Sequence, residues 1–247
     1  MMERPAPGSP PAHAGPAAES DAELARRAQI LSTEHWSLLA TRSLSWNEAF
    51  SRSGMFLSTL SAATVALALA GPAMSFRGAF PLFALIVLAV TLFLGTATYI
   101  RLLQVNNEDL YWVTGMNILR GEYARLVPGI DASFVAGHTL DVEGIARSYA
   151  AFDVTSNPSP WHMLITTPAV VGVIASAIAG VIAGLLAIQL GLAEVIAVAA
   201  GIIVFIVAVV LAIAYGRRES RRYIERAIER RLPNARSVDG DPATPRA

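Results

Sequence analysis

The sequence predicts an all-α integral membrane protein with four transmembrane helices in two hairpins, plus cytoplasmic amphipathic helices. Three observations lead to this fold class. Charged residues make up only 15% of the 247 residues, well below the roughly 25% of a soluble domain. Four long segments contain no Asp, Glu, Lys or Arg. The arginines outside those segments are concentrated in three of the five flanking regions.

Each apolar segment has about the 20 residues that an α-helix needs to cross roughly 30 Å of hydrocarbon. Buried helices of a soluble protein would be shorter and would carry polar faces, so we favour membrane spans. The segments are Gly54–Ala73, Phe80–Ile100, Ile165–Leu190 and Val195–Tyr215. Short connections join the first to the second and the third to the fourth, which predicts two antiparallel hairpins.

The arginine distribution predicts the orientation of these spans. Five arginines precede the first segment, four lie between the hairpins and seven lie in residues 216–233, whereas the two hairpin turns contain only Arg77. The positive-inside rule therefore places both termini and the middle region in the cytoplasm. All basic residues are Arg in a chain rich in Ala and Gly. This composition is typical of a GC-rich bacterial genome, so we expect a multi-pass protein of the bacterial plasma membrane.

The chain is predicted to have seven regions. Residues 1–19 and 234–247 are polar or Pro-rich tails that we expect to be disordered. The others are cytoplasmic helices (20–52), the first hairpin (53–100), a cytoplasmic helix and loop (101–160), the second hairpin (161–215) and a juxtamembrane basic helix (216–233).

Two capping boxes lie in residues 20–52. Ser20 with Glu23 predicts a helix start, and Ser45 with Glu48 predicts a restart. We therefore expect two short helices before the membrane, the second running into it.

The stretch YWVTGMNILRGEYARL, residues 111–126, predicts that the second helix continues past the membrane to a stop at Pro128-Gly129. Asp109 interrupts the apolar face of that helix, and the opposite side carries Asn106, Asn107 and Arg120. The apolar face has helical spacing and consists of Val105, Trp112, Met116, Leu119, Tyr123 and Leu126.

Three interpretations of this apolar stripe remain open. It can form the core of a small cytoplasmic domain, it can join subunits of a homo-oligomer, or it can bind a cofactor, which is the least favoured. We predict a cytoplasmic interface at Trp112, Met116, Leu119 and Tyr123 and no cofactor. The first interpretation needs apolar partners in the N-terminal helices, where the candidates are Leu24, Ala28, Leu31, Leu38 and Leu39.

The third apolar segment carries Gly172, Ser176, Gly180 and Gly184 at intervals of four. Small residues at this spacing allow another helix to approach closely, and so predict tight helix packing within the chain or between chains. Candidate counterfaces are Gly54, Ser58 and Ala62 on the first segment, and Ala197 and Gly201 on the fourth.

Two further features carry candidate chemistry. GHTLDVEG places His138, Asp141 and Glu143 within six residues, which supplies donors for a metal ion or a general base. Without a second His or any Cys, a solvated loop is favoured, and no catalytic or metal residue is predicted.

The membrane segments lack the ionisable groups that transporters and intramembrane enzymes use. A passive pore remains open, and its candidate polar lining is Thr91, Thr96, Thr98 and Ser176.

The tail GRRESRRYIERAIERRLP predicts an amphipathic helix beside the bilayer. Its apolar face would contain Ile224, Ile228 and Leu232. Anionic lipid headgroups would attract such a helix, whereas its glutamates and its position next to the membrane disfavour nucleic acid. The candidate headgroup ligands are Arg217, Arg218, Arg221 and Arg222.

Three stretches carry a family resemblance: residues 30–69, MNILRGEY at 116–123 and GHTLDVEG at 137–144. Over residues 25–215 the chain resembles conserved hypothetical four-span membrane proteins of actinobacteria. The resemblance implies a bacterial plasma membrane and one intact architecture, and no activity. In layout alone, the hairpin with cytoplasmic helices is also similar to pore-forming effector modules of bacterial conflict systems.

The function predicted from the sequence is that of a structural or interaction component, which assembles through small-residue helix packing. The alternatives are a passive channel or pore-forming effector and, least favoured, an enzyme with a cytoplasmic site at His138, Asp141 and Glu143.

Overall fold

The computed structural model describes residues 20–149 and 166–231. Within these ranges the chain is helical and contains no strand, which confirms the all-α prediction. The helices are α1 (Asp21–Ala73), α2 (Phe80–Leu126), α3 (Val142–Tyr149), α4 (Thr167–Gln189) and α5 (Glu194–Arg231), with a 3-10 turn at Ile130–Ser133. Four of them, α1, α2, α4 and α5, are long and apolar enough to cross a membrane, which indicates a multi-pass membrane protein.

α1 is one unbroken helix of 53 residues. It begins as predicted, because the Ser20 hydroxyl accepts a hydrogen bond from the Glu23 amide at 3.3 Å. The predicted restart at Ser45 is wrong: residues 21–53 contain neither Gly nor Pro, so nothing interrupts the helix. Glu48 does not cap a new helix; it accepts hydrogen bonds from Arg52 and, across to α2, from Arg101, each at 2.8 Å.

α2 is also continuous and has 47 residues. At about 1.5 Å per residue its length is about 70 Å, more than twice the hydrocarbon thickness. It ends at Leu126, where Val127 turns to an extended conformation and donates its amide to Tyr123. Gly129 follows with φ 86°, a left-handed conformation that suits glycine. The end of the helix agrees with the Pro128-Gly129 stop signal.

α2 lies at the centre of the fold, between α1 and α4. Contacts with α1 run antiparallel: Glu48 meets Arg101, and further along the pair Phe56 meets Gly95. A Cβ on Gly95 would lie 2.8 Å from the Phe56 ring, so the absence of a side chain there makes room for the aromatic ring. The core around this contact draws on α1, α2 and α4, through Ala49, Phe56, Leu102, Val105, Val171 and Ile178.

α4 and α5 approach at backbone distance. A Cβ added to Gly180 would lie 2.7 Å from the Gly201 carbonyl oxygen, and one added to Gly184 would lie 3.3 Å from that of Ala197. The small residues of α4 therefore face α5 of the same chain at these positions. Gly54, the proposed counterface on α1, has nothing within 4 Å of its Cβ position.

The outward surfaces of the long apolar segments suit a lipid environment. Ile203 and Leu211 on α5 are 60% and 62% exposed. Hydroxyl groups on α1 form hydrogen bonds within their own helix: Thr59 donates to the Met55 carbonyl and Thr64 to the Leu60 carbonyl. Because hydrocarbon offers no hydrogen-bond partners, polar groups in a span must be paired in this internal way.

The contact between α4 and α5 makes a stability prediction. Gly180→Ala would press its methyl group on the Gly201 carbonyl, so we expect destabilisation of about 1–3 kcal/mol and a lower midpoint of thermal unfolding in detergent. The matched control is Gly54→Ala, which has the same gain in helix propensity and open space around it. Equal midpoints for the two variants would contradict close packing at Gly180.

Candidate functional site

The Asp109 carboxylate is the best-defined polar centre in the described residues, and it is only 3% exposed. Arg42 donates to it twice, from Nε to Oδ1 at 2.6 Å and from Nη2 to Oδ2 at 3.1 Å. Trp46 Nε1 donates to Oδ1 at 2.6 Å, and the Tyr149 hydroxyl donates to Oδ2 at 3.0 Å. Each carboxylate oxygen thus accepts two hydrogen bonds, which satisfies the ionised form.

Three helices bring these groups together. Arg42 and Trp46 lie four residues apart on α1, so they project from one face of the helix. Asp109 lies on α2 beyond its apolar segment, and Tyr149 is the last residue of α3. The hydrogen bond that Arg42 donates to Asp109 raises the pKa of Arg42 above its usual value, so the guanidinium stays charged. We call these four residues the Asp109 cluster.

A second polar contact fixes the loop before α3 to α2. Asn117 is fully buried, and its Nδ2 donates to the carbonyls of Thr139 and Gly144, each at 3.1 Å. Its Oδ1 accepts from Arg120 Nη1 at 3.0 Å and from the Ser148 hydroxyl at 2.6 Å. One side chain therefore bonds to a loop carbonyl, to a carbonyl of α3 and to two donors.

GHTLDVEG is a loop only as far as Asp141, because α3 begins at Val142 and Asp141 caps that helix. Asp141 accepts hydrogen bonds from the Thr139 hydroxyl at 2.5 Å and from the Gly144 amide at 2.9 Å. The Thr139 bond and then the Gly144 bond lower the pKa of this carboxyl. The His138 ring lies against Phe134 instead, at 6.2 Å, and Glu143 is exposed. Over residues 20–149 and 166–231, no group of three metal-ligating side chains forms.

The apolar stripe of α2 faces α1 and the rest of its own chain. Met116 and Leu119 are buried, whereas Trp112 and Tyr123 are half-buried. The Tyr123 ring stacks on His35 of α1 at 6.0 Å. The side chain of Leu38 lies 3.1 Å from the Cβ position of Gly115. These contacts match the interpretation of the stripe as a core built with the N-terminal helix.

Three polar residues of this region differ from the sequence interpretation. Asp109 does not interrupt the packed face but lies buried within it. Asn107, predicted on the opposite side, is buried, and Arg120 is half-buried and bonded to Asn117. α1, α3 and α4 contact α2 from different directions. The division of α2 into one apolar and one polar side, expected from the sequence, is therefore wrong in this region.

His35 stacks on the Tyr123 ring and is close enough to Arg120 to respond to its positive charge. Burial lowers its pKa from the usual 6.5, and the nearby Arg120 lowers it further. Burial also lowers the pKa of Arg120, as does the charge of Arg42. The folded chain therefore favours neutral His35.

The four arginines proposed as headgroup ligands, Arg217, Arg218, Arg221 and Arg222, are all exposed. They lie on α5, which continues without a break from its apolar segment to Arg231. The side chains of Ile224 and Ile228, the residue Leu232 and both tails lie outside the described part of the chain.

The sequence interpretation missed the Asp109 cluster and the Asn117 contact. A signal was present: Asp109 stands alone in an apolar stripe, and a buried carboxylate requires donors. Arg42 and Trp46 supply donors at i, i+4 spacing, but only the antiparallel register of α1 and α2 shows that they reach Asp109. Nothing in the sequence pairs Tyr149 with that carboxylate.

Fold and site together define a helical multi-pass membrane protein in which a buried ionic cluster lies outside the apolar segments. Comparisons with protein-family models, curated proteins and solved structures gave no match. The resemblance to actinobacterial four-span proteins stays a prediction.

Removing the Asp109 charge tests the cluster. Asp109→Asn leaves the partly buried Arg42 without its counter-ion and places an amide among donors. We expect destabilisation of about 2–4 kcal/mol, somewhat below the value for a fully buried pair because Arg42 retains some exposure.

The control is Glu122→Gln on the same helix, which makes the same chemical change in an exposed ion pair with Arg27 and Arg125. Its cost should stay within about 1 kcal/mol. Chemical unfolding followed by tryptophan fluorescence measures both. A similar loss of unfolding free energy in the two variants would show that the Asp109 cluster stabilises the fold no more than an exposed ion pair does.

The lowered pKa of His35 predicts a pH dependence. The unfolded chain takes up the His35 proton at a higher pH than the folded chain does. The contribution of neutral His35 to stability is therefore fully present above pH 6.5 and is lost as the pH drops below it. His35→Phe keeps a ring against Tyr123 and removes the titration. The fall in thermal midpoint between pH 7.5 and pH 5.5 should therefore be smaller in the variant. An unchanged fall would exclude His35 as a source.

Proposed function

We propose that the protein is a structural and interaction component of the bacterial plasma membrane, in which two transmembrane hairpins hold a rigid cytoplasmic stalk. The hairpins are α1 with α2 and α4 with α5, and both termini are cytoplasmic. The stalk consists of residues 21–52, residues 101–126 and α3.

The observation that carries this proposal is the Asp109 cluster. It joins α1, α2 and α3 outside the apolar segments, where two long helices alone would separate and bend. Ion pairs support it along the stalk: Arg101 bridges Glu48 and Glu108 at 2.8 and 2.9 Å, and Arg27 pairs with Glu122 at 3.1 Å.

An interaction role is supported by the surface of the stalk. Its α1 part is about 48 Å long at the usual helical rise and carries large apolar side chains in exposed positions. Trp36 and Leu44 are each 69% exposed, and Ile30 is 60% exposed. Contact surfaces for another protein are apolar patches of several hundred Å², and these side chains supply apolar area for such a surface on α1.

The packing between the spans does not favour a pore within one chain. Phe56 fills the space beside Gly95, and the hydroxyls of Thr91 and Ser176 donate to carbonyls of their own helices at 2.8 Å. These two hydroxyls belong to the candidate polar lining of a passage, which also included Thr96 and Thr98. A conducting assembly would therefore need a pore between chains.

The proposed topology is tested by labelling single cysteines, since the natural chain has none. A membrane-impermeant maleimide should label Arg77→Cys in intact cells and Gln29→Cys only in inside-out vesicles. Val204→Cys, on the outward surface of α5, should resist labelling in both preparations. Labelling of Gln29→Cys in intact cells would overturn the orientation.

Stalk rigidity is tested with spin labels on Gln29→Cys and Gln104→Cys, both exposed positions. The antiparallel register places them about 25 Å apart along the stalk. We expect a narrow distance distribution that broadens in the Asp109→Asn background and stays narrow in the Glu122→Gln background.

Liposomes containing the purified protein should hold an ion gradient. A broad distribution in the natural background, or ion leakage that scales with protein, would reject the proposal.

A further inference from the structure

A groove of about 390 Å³ opens on the lipid-facing side of the helices. Its floor is the small-residue face of α4, including Gly172, Ala175 and Ser176. One wall is formed by α2 and the other by α5. These two helices approach each other at one end of the groove, where a Cβ on Gly216 would lie 3.1 Å from the Tyr99 hydroxyl. There the Tyr99 hydroxyl donates to the Ala212 carbonyl at 2.6 Å and closes the space.

The length of the groove distinguishes between a lipid chain and a protein helix as its occupant. On α2 it extends from Leu92 to Ile100, about 12 Å at the rise of an α-helix. A transmembrane helix from another chain needs a seam of about 30 Å, whereas one leaflet of hydrocarbon is about half of that. The closed end at Tyr99 also blocks a helix that would continue into the cytoplasm. The dimensions fit an acyl chain of one leaflet.

The charge at the closed end fits an anionic headgroup. Ala208, Leu211, Ala212 and Tyr215 form the α5 wall. At about 100° per residue, the same side of α5 continues beyond Tyr215 with Arg218, Glu219 and Arg222.

Both arginines on that side are exposed. Two guanidinium groups against one carboxylate leave a net positive edge, and Arg binds phosphate oxygens in bidentate geometry. Arg217 and Arg221, also predicted as headgroup ligands, lie on another side of the helix, where they can meet bulk lipid but not the phosphate of a lipid in the groove.

We propose that this groove binds one anionic phospholipid of the cytoplasmic leaflet. An acyl chain lies on the small-residue face of α4, and the phosphate lies at Arg218 and Arg222. Tyr99 and Tyr215 flank the ester region, where aromatic rings with a polar tip are stable. The assignment of the leaflet rests on the proposed topology, whereas the match of groove and arginines does not.

A second groove of about 540 Å³ between α4 and α5 provides an internal comparison. It lies near the opposite ends of these helices, beside Gly184 and Ala197, and every residue lining it is apolar. No arginine borders it, so the charge argument applies only to the groove closed by Tyr99.

The test is native mass spectrometry of the purified full chain after incubation with phosphatidylglycerol or with zwitterionic phosphatidylcholine. We expect one retained phosphatidylglycerol per chain. Retention should fall about 10- to 30-fold in the double variant Arg218→Gln/Arg222→Gln, since each surface Arg contributes roughly fivefold. The matched control, Arg217→Gln/Arg221→Gln, has the same net charge and should retain the lipid.

A steric pair tests the groove independently of charge. Ala208→Phe fills the groove and should reduce retention, whereas Ala214→Phe, exposed on another side of α5, should not. All variants are compared at equal thermal stability, so that loss of fold is not counted as loss of binding.

Equal losses in the two arginine pairs, equal retention of both lipids, or no effect of Ala208→Phe would each overturn the proposal. The maleimide topology assay is run on the same variants. An unchanged labelling pattern with no lipid retention counts against the lipid site alone, whereas a reversed labelling pattern counts against the proposed function.

Discussion

The buried carboxylate of Asp109 is the constraint on which the arrangement outside the apolar segments depends. Burying an ionised group costs several kcal/mol unless its oxygens are paired, so the fold must bring donors to it. Arg42 and Trp46 of α1 donate three hydrogen bonds and Tyr149 of α3 donates the fourth, so all three helices are needed for the full set. The polar requirement thus fixes the register of α1 against α2 and the position of α3, which apolar contacts alone would leave less specific.

Within the apolar segments a different constraint applies. Lipid is as apolar as the helix surfaces, so burial of Leu or Ile provides little drive for association, and close contact must come from small residues. The backbone approach of Gly180 to Gly201 and the fit of Phe56 on Gly95 follow this rule. α2 obeys both constraints along one continuous helix, with small-residue contacts near Gly95 and polar contacts from Arg101 to Asn117.

The sequence was sufficient to predict features that depend on local patterns. Uncharged stretches of about 20 residues predicted the four candidate spans, Ser20 predicted the start of α1, and Pro128-Gly129 agrees with the end of α2. Features that depend on register were beyond it. Ser45-x-x-Glu48 matched a capping box, but Glu48 bonds to Arg101, 53 positions away. Asp109 was interpreted as a defect in a stripe because its donors lie on helices whose alignment no local pattern specifies.

The small-residue contact of Phe56 with Gly95 and the Asp109 cluster both involve the same two helices, α1 and α2, so a movement at one can affect the other. On α2 the contact at Gly95 and the cluster at Asp109 are separated by about 21 Å of helix that contains no further Gly or Pro. The Arg101 bridge to Glu48 and Glu108 lies between them. We therefore expect a rotation of α1 against α2 in the stalk to be transmitted to the apolar segments. A partner that binds the exposed apolar side chains of α1 would act on the packing of the spans, and a lipid held beside Tyr99 would act on the same central helix from the other side.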